Sequence, residues 1–167
     1  MLEQIPEGCA PKKKKKTVIG WSEYIDFPDW HIRGLKAKVD TGARSSALHV
    51  EELVEIEPGV VSFYVVLNRK SRSRRHVQAP IVKWARVRSS TGIYRRRCFV
   101  RTRVAIGAVE KEIEVSLVCR EKMLFRMLLG RQALRRDFVV DVNKRAVLGR
   151  PSKVKRTESH EDSHPQP

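Results

Sequence analysis

Apolar and polar residues alternate with a period of two through much of the chain, a pattern that is typical of half-buried β-strands. In residues 35–39 the apolar side chains alternate with two lysines, and this segment leads directly into Asp40. Residues 60–67 are rich in β-branched and aromatic side chains, which also favours a strand. Residues 100–106 and 113–117 alternate on either side of a Gly-Ala pair, so we predict that they form a hairpin.

Shorter elements follow towards the C-terminus. Residues 138–142 and 146–148 predict two short strands on either side of a turn at Asn143-Lys144. A short helix is predicted over residues 131–136, directly after Gly130. Because strands predominate, the predicted fold class is mainly β, a small barrel or sandwich with one short helix.

Both ends of the chain depart from this pattern. Residues 1–16 end in five consecutive lysines, and the repulsion among them predicts a disordered basic arm. Residues 151–167 are polar and charged and contain three prolines, so we predict a disordered tail there. The folded domain is therefore expected to span residues 17–150.

The chain also carries a large positive charge, since 35 lysines and arginines against 19 aspartates and glutamates give a net charge of +16. Such a field attracts nucleic acid, an anionic membrane surface or an acidic protein, and charge alone does not distinguish among them. No apolar run approaches the roughly 18 residues that cross a bilayer, and the N-terminus lacks the apolar stretch of a secretory signal. We therefore expect a cytoplasmic protein without a membrane segment.

Metal-binding motifs are missing from the sequence. The three cysteines, Cys9, Cys98 and Cys119, are widely spaced, which favours free thiols over disulfides. Neither an HExxH motif nor a CxxC pair occurs, and His160 and His164 fall in the predicted disordered tail. A phosphate-binding P-loop is absent as well. We therefore predict that the protein binds no metal and needs no cofactor.

The segment Val39-Asp40-Thr41-Gly42-Ala43 carries the clearest chemistry. An aspartate at the end of a strand can act as an acid or a base when its surroundings perturb it. The threonine hydroxyl can donate and accept hydrogen bonds, and the glycine lets a backbone approach closely. An ordinary β-turn uses the same residue types, so the segment alone leaves both interpretations open.

A second segment makes the first more specific. Residues 127–134 consist of an apolar strand, the pair Gly130-Arg131 and the start of the predicted helix. The two segments resemble the active-site loop and the second signature of the retropepsins. Ser89-Ser90-Thr91-Gly92 lies where the flap hairpin of such a protease would fall.

The resemblance extends to a bacterial group within that clan, through residues 19–21, 36–49 and 127–134. Its members are commonly labelled "ATP-dependent zinc proteases", a label that the residues of this chain do not support. Some are thought to act beside an ATP-grasp ligase that adds glutamates to a ribosomal protein. The resemblance therefore implies such a ligase as a partner.

The resemblance implies a small closed β-barrel of the acid-protease type and an aspartic endopeptidase. Catalysis of this kind needs two carboxyl groups, about 3 Å apart, that share one proton. Since each chain supplies one such aspartate, a homodimer with its site on the two-fold axis is implied. The residues carried over are catalytic Asp40, Thr41 and Gly42, substrate-binding Ala43, Arg44, Ser89, Ser90, Thr91 and Gly92, and the structural signature Gly130 and Arg131.

One position departs from the viral retropepsins. In those enzymes an aspartate follows the Asp-Thr-Gly-Ala loop and pairs with the arginine of the Gly-Arg signature, but here the position holds Arg44. Either another acid braces Arg131, or Arg44 faces the substrate. We favour the second arrangement because a cation there suits an acidic peptide, such as a glutamate-rich protein tail.

Three basic clusters allow further interpretations: residues 12–16, residues 69–75, and Arg95-Arg96-Arg97 together with Arg101 and Arg103. They could guide an acidic peptide into the groove, bind ribosomal RNA, or form solvated surface. Two alternatives to a peptidase stay open on this basis. One is a non-catalytic basic β-domain that binds RNA or the ribosome, and the other is a regulatory partner of a glutamate ligase.

The tryptophans and one histidine are interpreted as structural. Trp21, Trp30 and Trp84 do not form a stripe with the basic clusters, which favours core positions over a nucleic-acid stacking platform. His49 is expected to be a packed strand residue rather than a ligand or a catalytic base.

Overall fold

The structure is a computed structural model that describes residues 15–68, 73–88, 92–119 and 124–150. Apart from Lys15 and Lys16, the predicted basic arm and tail lie outside the described residues. No helix within the described ranges is long and apolar enough to span a membrane. The strands in these ranges are β1 (Thr17–Gly20), β2 (Ser22–Phe27), β3 (Ile32–Asp40), β4 (Ser46–Glu57), β5 (Val60–Val66), β6 (Arg74–Arg88), β7 (Tyr94–Ile106), β8 (Val109–Val118), β9 (Met127–Gly130) and β10 (Phe138–Asp141).

Eight of these strands form one sheet in the order β2-β3-β9-β4-β5-β6-β7-β8, and further pairings join β2 to β7 and β4 to β8. These additional pairings close the sheet into a ring. Strands β1 and β10 form a separate two-stranded parallel sheet. One α-helix, α1 (Arg131–Leu134), and a 3-10 turn at Pro28–Trp30 complete the described part. The mainly β prediction with one short helix is confirmed.

The core follows from the alternation that was visible in the sequence. Along β3 the apolar residues Leu35, Ala37 and Val39 are buried, whereas the lysines between them are exposed. Trp30 packs with its ring 5.0 Å from that of Phe27. Trp30 is therefore a core residue, as expected.

The predicted hairpin of residues 100–106 and 113–117 is present as β7 and β8. The two strands pair in an antiparallel register that ends at Ile106 opposite Val109. The turn between them places Gly107 at φ +60°, a left-handed conformation that glycine adopts without steric strain. The second predicted hairpin, around the flap position, is formed by β6 and β7, with Arg88 opposite Tyr94.

The alternation predicts neither β2 nor the full extent of β4, and each has a local reason. In β4 the pairing register shifts between Glu51 and Val54, and Glu52 has φ +51°, so the period of two is interrupted by a bulge. In β2 the inward positions include Glu23, which is completely buried. Because a charged residue occupies a core position, the apolar alternation of β2 is interrupted and does not predict a strand.

The strand predicted at residues 146–148 is wrong, because this segment forms a turn in which Ala146 has φ +50°. The Glu23 carboxylate accepts hydrogen bonds from the backbone N–H groups of Val147 (2.9 Å) and Leu148 (3.3 Å). The same carboxylate accepts a third bond, at 2.7 Å, from the N–H of Gly20. One buried side chain therefore supplies the acceptors that a neighbouring strand would have provided.

The predicted helix is shorter than expected. It ends at Leu134, because Arg135 leaves the helical conformation (ψ +148°) and Arg136 has φ +73°. The chain then enters β10, which lies beside β1.

Candidate active site

The Asp-Thr-Gly-Ala segment and the Gly-Arg segment lie side by side in the fold. Strand β3 ends at Asp40, and β9 runs parallel to it with Gly130 opposite Asp40. The loop that follows β3 therefore meets the start of α1 at the same edge of the sheet. Two segments that are distant in the sequence form one structural unit.

The Asp40 carboxylate is fixed by its own loop. Its Oδ1 atom accepts hydrogen bonds from the backbone N–H groups of Gly42 (3.0 Å) and Ala43 (3.1 Å). Aspartate commonly bonds the N–H groups just ahead of it in this way. The side chain is only partly buried, so the carboxyl group is held in position and remains accessible from solvent.

Arg131 forms hydrogen bonds with the same loop. Its Nη1 atom donates to the carbonyl oxygens of Thr41 (2.9 Å) and Gly42 (2.8 Å). Its backbone N–H donates to the carbonyl of Ala43 at 2.9 Å, and that of Gln132 to the next carbonyl at 3.1 Å. Four consecutive carbonyl groups of the loop thus accept from the start of α1. Among the residues that the structure describes, backbone oxygens brace the guanidinium and no acidic side chain pairs with it.

Buried serines complete this support, and the sequence interpretation gave them no role. The hydroxyl of Ser46 accepts from the N–H of Gly130 at 3.1 Å, and the hydroxyl of Ser116 donates to the Ser46 carbonyl at 3.0 Å. Both serines are almost completely buried. A side chain at Gly130 would bring its Cβ within 2.5 Å of the Ser45 backbone, so only glycine allows this close approach.

A cleft of about 540 Å³ opens beside the loop. One wall comes from the loop and from β4 and β9, and the other from the β6–β7 hairpin. The residues that line it are Asp40, Gly42, Ala43, Arg44, Ser45, Ala47, Val87, Arg88, Arg97 and Leu128.

The structure brings several of the sequence-predicted site residues together and leaves others apart. Asp40, Gly42, Ala43 and Arg44 line the cleft, while Thr41 is exposed on the loop beside them. Ser89, Ser90 and Thr91 lie outside the described residues. Gly92, with φ +81°, belongs to the hairpin above the cleft but does not line it.

The cleft is electropositive. Of the described residues that line it, Arg44, Arg88 and Arg97 are basic and Asp40 is acidic. This agrees with the prediction that Arg44 faces the cleft and that arginines of the flap hairpin lie near it. The arginine of the second strand that reaches the cleft is Arg97.

The third basic cluster of the sequence divides into two parts. Arg101 lies 3.4 Å from Glu112, and Arg103 lies 2.6 Å from Asp29, so these two arginines belong to an ion-paired surface. Hydrogen bonds from Arg103 lower the pKa of Asp29. Arg97, closer to the hairpin tip, lines the cleft instead.

The remaining candidate residues lie away from the cleft lining. His49 is buried on β4, with Nε2 3.9 Å from a carboxylate oxygen of Glu51. Cys98 is buried, and this burial raises the pKa of its thiol, whereas Cys119 is exposed. Within the described ranges, no group of three or more histidine, cysteine, aspartate or glutamate side chains is arranged to hold a metal ion.

Comparison with known proteins identifies the family. A family model described as "Retropepsin-like aspartic endopeptidase RimB" matches residues 18–151. The chain belongs to this retropepsin-like family. The Asp40 loop, the Gly130-Arg131 segment and the β6–β7 hairpin all lie within the matched residues.

Curated relatives carry a different name. The chain is 32% identical over 142 residues to a "Probable alpha-L-glutamate ligase" of Desulfotalea psychrophila, covering 83% of this chain and 31% of that protein. It is 33% identical over 141 residues to a protein of the same name from Parasynechococcus marenigrum, covering 81% of this chain and 30% of that protein. The chain therefore spans about a third of the length of these relatives.

A solved structure shares the fold. The crystal structure of Lpg0085 from Legionella pneumophila, a protein titled as having unknown function, superposes with a TM-score of 0.67 and 26% sequence identity. The match covers 80% of this chain and 99% of that one.

The buried serine pair leads to a test of how the loop is supported. Ser46→Ala leaves the N–H of Gly130 buried without its acceptor, which we expect to lower the free energy of unfolding by about 1–3 kcal/mol. Chemical denaturation measures the change. Ser46→Thr, which keeps the hydroxyl, should recover part of the loss.

Ser62→Ala is the matched control, because the Ser62 hydroxyl bonds the exposed His76 at the surface. Its unfolding free energy should stay within about 0.5 kcal/mol of the parent value. Equal stability of the Ser46 and Ser62 variants would contradict a supporting role for Ser46.

Proposed function

We propose that the protein is an aspartic endopeptidase that works as a homodimer, with Asp40 of each subunit contributing to one shared site. The observation that carries the proposal is the Asp40 carboxylate, which is fixed by two backbone N–H groups and lines an open cleft beneath a hairpin. Membership of the retropepsin-like family supports the same chemistry.

The proposed reaction uses the two carboxyl groups as an acid and a base. Held close together, they share one proton, because two like charges at that distance do not both ionise. The ionised carboxylate takes a proton from a water molecule, and the protonated one polarises the carbonyl of the scissile peptide bond. Water adds to that carbonyl, and the amine leaves after it receives a proton.

Residues around Asp40 have positioning roles in this proposal. Thr41 is exposed on the loop, where it can contact the same loop of the partner across the two-fold axis. The Gly42 carbonyl accepts from Arg131, and its second lone pair remains suited to an N–H group of a substrate backbone. The β6–β7 hairpin would close over the bound peptide and exclude water.

The homodimer follows from the chemistry together with the number of aspartates. Among the described residues that line the cleft of one chain, Asp40 is the acidic one, and a two-carboxylate mechanism requires a second. A two-fold axis beside the loop would supply it from an identical subunit. Val18 and Val139 are neighbours in the β1–β10 sheet, and each exposes nearly half of its surface, which suits a contact between subunits.

An acidic peptide is the proposed substrate class. Arg44, Arg88 and Arg97 line the cleft and would attract carboxylates. Relatives that contain a similar segment are named as glutamate ligases, which supports glutamate-rich protein tails as substrates and a ligase as a partner.

That same naming favours a second candidate function. Since the chain corresponds to about a third of each ligase-named relative, it could regulate a glutamate ligase by contact, without cleaving peptides. The two candidates differ in what they require of Asp40, because a regulatory domain does not need that carboxylate.

The central prediction concerns Asp40→Asn. Cleavage of a peptide library that includes glutamate-rich peptides, followed by mass spectrometry, should fall about 100-fold or more, as expected when acid–base chemistry is lost. Asp29→Asn, on the ion-paired surface, is the matched control and should cleave like the parent protein. If the Asp40 variant cleaves the same peptides at the parent rate, the peptidase proposal is wrong.

The substrate class has its own test in Arg44→Glu. This charge reversal should lower kcat/KM about tenfold for acidic peptides, because like charges would then face each other, and change it little for neutral peptides. Added salt should reduce the difference. Arg33→Glu, on an exposed position of β3, serves as the control. An equal loss on acidic and neutral peptides would rule out an acidic-substrate role for Arg44.

A further inference from the structure

The β6–β7 hairpin has two faces, and the cleft accounts for one of them. Val87 and Arg97 line the cleft. Alternation along each strand turns Trp84, Arg86, Tyr94 and Arg96 to the opposite side, which we call the outer face. These four residues are exposed, including 39% of the Trp84 surface and 56% of the Tyr94 surface. Arg88, at the end of β6, has the register of this face and lies 5.9 Å from the ring centre of Tyr94, but it also lines the cleft.

Arginines and aromatic rings alternate on the outer face. The guanidinium of Arg96 lies 4.7 Å from the ring centre of Trp84, and that of Arg86 lies 5.6 Å from the ring centre of Tyr94. Arg86 and Tyr94 line a shallow depression of about 190 Å³. The expectation that Trp84 is a core residue is therefore wrong, because strand pairing places it beside arginines that are distant in the sequence.

The described part of the hairpin carries an excess of positive charge. Residues 82–88 and 92–97 contain one lysine, five arginines and no acidic residue. Lys83 is paired with Glu114, on the side of the hairpin away from the outer face. Among the described residues, Arg86 and Arg96 form no salt bridge, in contrast to Arg101 and Arg103 further along β7.

We infer that the outer face binds single-stranded RNA. Exposed aromatic rings and guanidinium planes are surfaces on which unpaired bases stack, and the same arginines can bond the phosphates between those bases. A double helix keeps its bases stacked inside and offers no partner for the rings. The inference does not depend on Asp40.

Two features favour RNA over other polyanions. An acidic peptide would use the arginines but has no aromatic ring to stack on Trp84 and Tyr94, whose exposure would then serve no binding role. The Tyr94 hydroxyl can donate to or accept from a ribose 2′-hydroxyl, a group that DNA lacks.

The test measures binding of a fluorescein-labelled uridine 12-mer to the full chain by fluorescence anisotropy. Trp84→Ala/Tyr94→Ala removes both rings and keeps every charge. Since stacking on an aromatic ring contributes about 1–3 kcal/mol per base, affinity should fall at least tenfold. Circular dichroism and thermal unfolding confirm that the variant is folded.

Tyr64→Ala is the matched control, because Tyr64 also lies against an arginine, Arg74, but that arginine is paired with Glu51 and Glu52. Its affinity for the 12-mer should equal that of the parent protein. A second variant, Arg86→Gln/Arg96→Gln, keeps both rings. Its salt dependence should become shallower by about 1.4 in log K against log salt, or about 0.7 for each phosphate that an arginine no longer neutralises.

Three results would overturn the inference. The first is unchanged affinity in both the ring variant and the arginine variant. The second is equal binding of the parent protein to the matched DNA 12-mer or to duplex RNA. The third is found with a 12-residue glutamate peptide. The inference fails if this peptide displaces the RNA and if the ring variant loses as much affinity for the peptide as for the RNA. Asp40→Asn should bind the RNA like the parent protein, which separates this result from the peptidase test.

Discussion

The hydrogen bonds between Arg131 and the carbonyl groups of the Asp40 loop are the interaction on which the site depends. They join a loop at the end of β3 to the helix that follows β9, two segments that the parallel pairing of Asp40 with Gly130 already places together. The close approach at Gly130 and the buried hydroxyl of Ser46 make this pairing possible. As a result, hydrogen bonds position the loop that carries the Asp40 carboxylate at the edge of an open cleft.

This arrangement explains why Arg44 can differ from its viral counterpart. Backbone carbonyl groups accept hydrogen bonds from Nη1 of Arg131, so the loop does not need an acidic side chain at position 44 to hold this arginine. The side chain there is available to the cleft, where it adds positive charge beside Arg88 and Arg97.

Sequence reasoning succeeded where local pattern and structure agree. The lysine-striped strand that ends at Asp40, the β7–β8 hairpin and the short helix after Gly130 all follow from alternation, turn residues and motif order. It failed where an interaction distant in the sequence decides the outcome. The carboxylate of Glu23 is buried because it bonds Gly20 and residues 147 and 148, and neither β2 nor the turn at Ala146 can be recognised without those hydrogen bonds.

The same limit applies to the candidate site. Residues 40–44 were found from the motif, but the carbonyl brace and the serine pair depend on pairing between strands that the sequence does not specify. Charge is a similar case, because +16 is a sum over different surfaces. Arg101 and Arg103 are neutralised by neighbouring acids, whereas the hairpin presents arginines to the cleft on one face and, beside Trp84 and Tyr94, to solvent on the other.

The most direct test of the central claim is the activity of a mixed dimer. Parent and Asp40→Asn chains, co-expressed with two different tags and purified through both in succession, should yield a stable pair with one intact aspartate. A shared two-carboxylate site predicts that this pair is recovered and is nearly inactive, while the doubly tagged parent pair is fully active. Failure to recover any pair, or a mixed pair with half of the parent activity, would contradict the account.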